Sequence, residues 1–139
     1  QAWQERAATV RSQGAAAMQA LADSAPGRWF TPGFTQAHPD VVQRAQAWIA
    51  GIAPEGYAAC CEALATSDLR DSISRIGVPT LLLAGADDPV TTVADAQAMH
   101  DSIAGSSLAI VPASHLSNLE APQAFEKAVV NFLAHAAKA

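Results

Sequence analysis

Strand-like segments are confined to the second half of the chain, and this asymmetry limits the fold more than any other feature. Apolar runs of strand length occur at 79–84 and 108–111, and no strand pattern precedes them. Between the two runs, Thr92 and Asp95 have the spacing of a capping box, which predicts that a helix begins at that point. A strand, a helix and a strand in this order predict a βαβ unit with parallel strands and a right-handed crossover.

The first half of the chain shows helical patterns and no strand patterns. Apolar residues recur at near-helical spacing over 2–22, where Gly14 is expected to bend or split the helix. Two more helices are predicted over 39–49 and 54–65, each beginning at a proline, which is favoured in the first helical turn. The Pro/Gly-rich segment 25–39, "APGRWFTPGFTQAHP", predicts a loop.

The same patterns predict which side chains of the first half are buried. Trp48 and Tyr57 are expected in the core, and Leu64 is expected to face inward together with one of the adjacent cysteines, Cys60 or Cys61. Neighbouring residues on a helix point in different directions, so the two thiols are not expected to bond to each other. Two cysteines are too few for a disulfide framework or a metal cluster, and we expect reduced thiols in a cytoplasmic protein.

The composition argues against several classes of partner. Half of the residues are hydrophobic and 15% are charged, which is typical of a globular chain. The net charge is −5 and no basic run occurs, which argues against binding to nucleic acid. No apolar stretch approaches the roughly 18 residues that a membrane span needs. The polar opening, "QAWQERAATV", does not have the pattern of a secretory signal.

The predicted parallel strands are too few for a self-sufficient sheet, because about three or more strands are needed for independent stability. Both outer edges of such a sheet would also lie open. We therefore expect an α/β chain with an incomplete sheet. Its further strands would come from a second chain, from a domain swap, or from an N-terminal half outside this sequence.

Polar side chains follow both predicted strands, at the end where parallel sheets bind ligands. Asp87 and Asp88 come directly after the first strand, and His115 comes shortly after the second. If the strands are neighbours, a carboxylate can hydrogen-bond the imidazole, fix its tautomer and leave its other nitrogen as a general base. Alternatively, the Asp-Asp-Pro stretch is only a turn and His115 only hydrogen-bonds its own loop. The matching topology favours the catalytic interpretation.

Two segments carry a resemblance to a known family. The stretches "PTLLLAGADDPVT" (79–91) and "VPASHLSNLEAPQAFEKAVVNFL" (111–133) closely resemble the C-terminal end of α/β-hydrolase-fold enzymes. In that family an apolar strand leads into G-x-x-D, and a second strand leads into a histidine that an acid and a proline follow. The resemblance implies that Asp88 is the acid of a catalytic triad and His115 its histidine. Glu120 fits the acid that follows the histidine. We expect it to hydrogen-bond the loop that carries His115 (the histidine loop) or to cap the last helix.

The middle of the chain narrows the resemblance. The segment 54–89 is very similar to the 3-oxoadipate enol-lactonases of bacterial protocatechuate catabolism, and the similarity extends over nearly the whole chain. It implies a helical lid over residues 1–66 and a C-terminal βαβα part of the hydrolase core over 67–139. The lactone substrates of that family carry carboxylates, which an arginine recognises well. Arg28 and the adjacent Trp29 are therefore the predicted substrate-binding residues. Alternatively, Arg28 is a solvent-facing arginine beside a core tryptophan.

The resemblance also indicates what this sequence lacks. The family's nucleophile is a serine in G-x-S-x-G, and no serine of this chain lies in that pattern. The segment that forms the oxyanion hole is likewise missing. We therefore expect the chain alone to be inactive, and the complete protein to hydrolyse an enol-lactone to 3-oxoadipate without a metal or other cofactor. The open alternatives are an esterase or haloperoxidase of the same fold, and a non-catalytic helical and βαβ module that dimerises through its strand edges.

Overall fold

The structure, a computed structural model, describes residues 1–136 of the 139-residue chain. These residues form two compact units. The first unit combines Gln1–Pro26 with Ala37–Asp68, and the second combines Gly27–Gln36 with the described residues from Leu69 onward. Within residues 1–136, no helix has both the length and the apolar character needed to cross a membrane.

Helices predominate in the described part of the chain. They are α1 (Ala2–Gln13), α2 (Ala15–Ser24), α3 (Pro26–Trp29), α4 (Pro32–Ala37), α5 (Pro39–Ala50), α6 (Pro54–Thr66), α7 (Val93–Ser102), α8 (Ser117–Glu120) and α9 (Pro122–Ala136). The strands are β1 (Leu81–Gly85) and β2 (Ser107–Val111), and a one-turn 3-10 helix covers Ile73–Arg75. The three long helices predicted for the first half are confirmed, and Gly14, with a φ of +58°, splits the first of them into α1 and α2.

The segment predicted as a loop contains two short helices, α3 and α4, so that prediction is wrong. Each of these helices begins at a proline, Pro26 or Pro32. The fixed φ of proline suits the first helical turn, where its missing N–H is not needed. The prolines therefore mark helix starts and not irregular backbone. The aromatic residues of this segment stack on each other, with the ring centroids of Phe30 and Phe34 5.1 Å apart.

The first unit is built from helix pairs in which α1 packs against α6 and α2 packs against α5. Two side chains predicted to be buried are exposed: Trp48 is 53% exposed and Leu64 is 54% exposed. The side of α6 that is buried carries Ala58 and Cys61, whereas Cys60 is exposed. Helical spacing shows that α6 has an apolar side but does not fix its limits to one residue. The position of α1, which packs against α6, decides which side chains are buried.

The second unit contains the predicted βαβ arrangement. β1 and β2 pair in parallel, so that Leu81–Gly85 lies in register with Ser107–Val111, and α7 and α9 pack on both strands. The predicted capping box opens α7: the Thr92 hydroxyl oxygen accepts a hydrogen bond from the Asp95 N–H at 3.2 Å. In return, the Asp95 carboxylate accepts one from the Thr92 N–H at 2.8 Å. The strands thus end side by side, which places the loops after them at one edge of the sheet.

Within the described residues the sheet has two strands, so the expectation of an incomplete α/β sheet is confirmed. Large apolar side chains also remain exposed on this unit, including Ile110 on β2 and Val130 and Leu133 on α9. The division into a lid over 1–66 and a core part over 67–139 stays a prediction, and its last three residues lie outside those described.

Candidate active site

The hydrogen bonding between the two strands continues beyond their ends. The Ala86 N–H donates to the Val111 carbonyl oxygen at 2.9 Å, and the Asp87 N–H donates to the Ala113 carbonyl oxygen at 3.0 Å. The loop after β1 is thereby held beside the loop after β2. This continuation explains why polar residues from the two loops meet at one edge of the sheet.

Gly85, the last residue of β1, lets the two loops approach each other closely. A Cβ at this position would lie 2.5 Å from the carbonyl oxygen of Ala113, and closer still to that of Ser114. Because these oxygens belong to the backbone, they cannot rotate away as a flexible side chain would. Any side chain at this position would therefore push the histidine loop outward, and the glycine of the G-x-x-D motif is a steric requirement of the site.

The structure brings Asp88 and His115 together. Nδ1 of His115 lies 2.9 Å from Oδ2 of Asp88. The Asp88 side chain is 5% exposed and that of His115 is 28% exposed. Because an ionised carboxylate accepts hydrogen bonds and does not donate them, the imidazole proton lies on Nδ1. Among the described residues no group hydrogen-bonds Nε2, so this nitrogen is available to accept a proton.

The turn that follows Asp88 holds its carboxylate in place. Oδ1 accepts hydrogen bonds from the N–H groups of Val90 at 2.7 Å and Thr91 at 3.1 Å, and Oδ2 accepts one from the Thr91 hydroxyl at 2.8 Å. Burial is the largest single influence and raises the pKa of Asp88, but the hydrogen bonds from His115, Val90 and Thr91 together lower it below its usual range. Asp88 is therefore a fixed anion that can stabilise a positive charge on the imidazole.

Glu120 hydrogen-bonds the histidine loop, which is one of the two roles expected for it. Its carboxylate accepts hydrogen bonds from the Ser114 N–H at 2.9 Å and from the Thr31 N–H at 3.1 Å. It also binds the Thr31 hydroxyl. Because Ser114 directly precedes His115, Glu120 joins the histidine loop to the segment that precedes α4.

The predicted substrate-binding residues lie on that same segment. The carbonyl oxygen of Trp29 accepts a hydrogen bond from the Leu116 N–H at 3.0 Å. The carbonyl oxygen of Arg28 lies 3.4 Å from the Ser114 hydroxyl, which can donate to it or to the Asp87 carbonyl oxygen at the same distance. Both Arg28 and Trp29 are half-buried. The structure thus brings their backbone to the histidine loop, while the binding role of their side chains stays a prediction.

Two threonines that were not predicted as site residues, Thr31 and Thr91, belong to the site. The Thr91 hydroxyl oxygen lies 2.8 Å from Oδ2 of Asp88 and 3.4 Å from Nδ1 of His115. A signal for Thr91 was present, since an aspartate that accepts N–H groups two and three residues onward forms an Asx turn. Thr31 has no such signal, because its partner Glu120 is 89 residues away in the chain.

A cavity of about 370 Å³ lies beside these loops within the second unit. It is lined by Gly27, Phe30, Thr31, Pro32, Asp87, Pro89 and Ser114. Small-molecule sites usually have volumes of about 300–1,000 Å³. The lining includes chain neighbours of both Asp88 and His115, so there is room for a small ligand next to the acid–histidine pair.

The described residues supply neither a nucleophile for this pair nor a metal site. Within residues 1–136, His115 hydrogen-bonds only to Asp88 and Thr91. The Ser114 hydroxyl lies 3.4 Å from the carbonyl oxygens of Arg28 and Asp87, and no serine of the sequence lies in G-x-S-x-G. No group of three or more potential metal ligands occurs in the described part of the chain.

Solved structures identify the class of protein that this fold and site define. The enol-lactonase from Burkholderia xenovorans LB400 matches with a TM-score of 0.89 at 38% identity, over 95% of this chain and 50% of that one. Together with the order of strands and helices and the acid–histidine pair at the sheet edge, this match shows that the chain has part of an α/β-hydrolase fold. The fold class predicted from the sequence is confirmed.

The chain is also similar to curated 3-oxoadipate enol-lactonases. It is 50% identical over 129 residues to 3-oxoadipate enol-lactonase 2 of Acinetobacter baylyi, across 93% of this chain and 47% of that protein. It is 37% identical over 123 residues to 3-oxoadipate enol-lactonase 1 of the same bacterium, across 88% of this chain and 45% of that protein. The chain thus spans about half the length of the curated relatives it matches. No family model matches it.

Proposed function

We propose that this chain supplies the acid and the histidine of a Ser-Asp-His triad to a hydrolase that resembles 3-oxoadipate enol-lactonase. The observation that carries the proposal is the 2.9 Å hydrogen bond between His115 and Asp88, which leaves Nε2 open. The serine and the oxyanion-hole donors come from the remaining part of the protein, because neither motif occurs in this sequence.

In the complete protein, His115 acts first as a general base. Its Nε2 takes the proton of the serine as the serine oxygen attacks the lactone carbonyl, and ionised Asp88 stabilises the resulting imidazolium. Collapse of the tetrahedral intermediate breaks the ring C–O bond, and the departing enol oxygen receives the proton from His115. His115 then deprotonates a water that attacks the acyl-serine carbonyl. When this second intermediate collapses, His115 returns the proton to the serine oxygen, and the acyl group leaves as a carboxylic acid that ionises. These steps require no cofactor.

The substrate we propose is an enol-lactone whose product is 3-oxoadipate. The names of the relatives at 50% and 37% identity support this choice. The product carries carboxylates, and an arginine binds a carboxylate through two parallel hydrogen bonds. Arg28, beside Trp29, is proposed for that contact, because the backbone of this segment is hydrogen-bonded to the histidine loop.

The remaining part of the hydrolase is proposed to complete the sheet. Among the described residues the sheet has two strands, and apolar side chains such as Ile110 and Val130 stay exposed. Strands from the other part would pair with an open edge and bury this surface. In this arrangement residues 1–66 form the lid and 67–139 form the C-terminal part of the core.

The test uses the complete protein and measures the rate at which an enol-lactone ring is opened. The loss of the enol absorbance monitors this reaction. We expect H115A to lower kcat at least about 10⁴-fold without a loss of folded protein. H135A is the matched control, because His135 is exposed and hydrogen-bonds the Asn131 carbonyl of its own helix. If H115A kept nearly full turnover, the triad role would be wrong. An isolated protein that is a dimer of this chain alone, with no lactonase activity, would favour the non-catalytic module.

A further inference from the structure

Glu120 holds together two segments that lie far apart in the sequence. Its Oε2 faces the Ser114 N–H at 2.9 Å, and its Oε1 faces the Thr31 N–H at 3.1 Å and also binds the Thr31 hydroxyl. The Thr31 N–H also lies 3.4 Å from Oε2, so its shorter contact is with Oε1, whereas the Ser114 N–H binds Oε2. A carboxylate suits this position because it accepts at both oxygens, whereas an amide accepts at only one.

Further hydrogen bonds join the same two segments. The Trp29 carbonyl oxygen accepts from the Leu116 N–H at 3.0 Å. The Ser114 hydroxyl lies 3.4 Å from the carbonyl oxygens of both Arg28 and Asp87 and can donate to either. His115 thus lies between two residues that are both anchored to the segment before α4. The position of the His115 imidazole therefore depends on the hydrogen bonds that connect these two segments.

We propose that Glu120 is a positioning residue for His115: by tying the histidine loop to the segment before α4, it sets where the imidazole stands between Asp88 and the substrate. This role presupposes the proposed function. Hydrogen bonds to an ionised acceptor are shorter and about twice as strong as neutral ones. The hydrogen bonds to Glu120 are therefore the strongest of those that connect the two segments. Thr31 supplies their donors on the segment before α4.

Replacing Glu120 with glutamine in the complete protein tests this role. E120Q keeps the size of the side chain but turns an amide NH₂ toward one of the two backbone N–H donors, so one contact is lost. We expect kcat to fall about tenfold and KM to change by less than about threefold, because a displaced base mainly weakens the transition state. E126Q is the matched control: Glu126 is exposed on α9 and makes no hydrogen bond among the described residues.

The proton on Nδ1 of His115 gives a readout that a merely structural role would not move. An imidazole proton that is hydrogen-bonded to a carboxylate resonates far downfield in proton NMR. We expect E120Q to weaken or shift this resonance, whereas E126Q should preserve it. T31V removes the hydroxyl but keeps the N–H donor, so it is expected to act in the same direction with a smaller effect. It replaces E120Q if that variant does not fold.

The possible results separate this role of Glu120 from the proposed function. If H115A is inactive but E120Q equals E126Q in kcat and in the His115 resonance, the positioning role is refuted while the triad stands. The positioning role is also refuted if E120Q loses activity only in proportion to its loss of folded protein, with the resonance unchanged. If H115A remains active, the triad fails, and the positioning role, which presupposes it, fails with it whatever the resonance shows.

Discussion

Replacing Asp88 with asparagine separates the shape of the site from its proton chemistry. Oδ1 of Asp88 accepts from the N–H groups of Val90 and Thr91, so the amide oxygen of an asparagine can occupy that side and keep both bonds. The amide NH₂ then takes the place of Oδ2, where it donates to the Thr91 hydroxyl oxygen and to Nδ1 of His115. The imidazole must then carry its proton on Nε2, which the reaction needs unprotonated.

The size of the expected effect follows from this change of tautomer. With Nε2 protonated, His115 cannot accept the serine proton, and the imidazolium loses the anion that stabilises it. The Asp88 side chain is only 5% exposed, so water cannot take the place of the carboxylate. A wrong tautomer in a Ser-His-Asp triad lowers kcat about 10⁴-fold. This corresponds to about 5.4 kcal/mol of transition-state stabilisation.

The assay measures kcat and KM of the complete D88N protein on the enol-lactone, with thermal unfolding to verify that the variant is folded. D101N is the matched control, because Asp101 is an exposed carboxylate on α7 whose partner is Gln97 of the same helix. Its replacement should leave kcat within about twofold of the wild type. A folded D88N protein whose turnover stays within about tenfold of the wild type would refute the tautomer reasoning.

Two further predictions concern stability. G85A should lower the free energy of unfolding in urea by at least about 2 kcal/mol, because its Cβ would meet backbone oxygen atoms. G77A is the control: Gly77 has open space around it, so the change should be less than about 0.5 kcal/mol. Equal effects of the two substitutions would contradict the steric role of Gly85. Burial raises the pKa of Asp88 but its hydrogen bonds lower it further. Its ionised contacts therefore stabilise the fold above the unfolded-state pKa of about 3.9 and are lost as pH falls through the lower folded value. Urea unfolding at several pH values should show that the free energy of unfolding falls more steeply below about pH 4 for the wild type than for D88N. Parallel curves of this free energy against pH would contradict the prediction.

Most of the helices and both strands were predictable because they depend on short-range patterns. α5 and α6 begin at prolines and α7 begins at the Thr92–Asp95 capping box, so each start has a local physical cause. The prediction of a loop over 25–39 is wrong because Pro and Gly occur both in loops and at the first turns of helices. Pro26 and Pro32 begin short helices there. Local patterns also misplaced Trp48, because they do not show which face of a helix a neighbour covers.

The sequence alone indicates that an acid and a histidine follow two predicted parallel strands, and that both lie at one edge of the sheet if these strands are neighbours. From the residues alone, Asp87 and Asp88 were both candidates, and the family resemblance favoured Asp88. The folded chain adds that β1 pairs with β2, that Asp88 lies within hydrogen-bonding distance of His115, and that Glu120 contacts Thr31 across 89 residues. The reason is range: periodicity and capping act through a few bonds of the chain, whereas these contacts exist only once distant segments have packed.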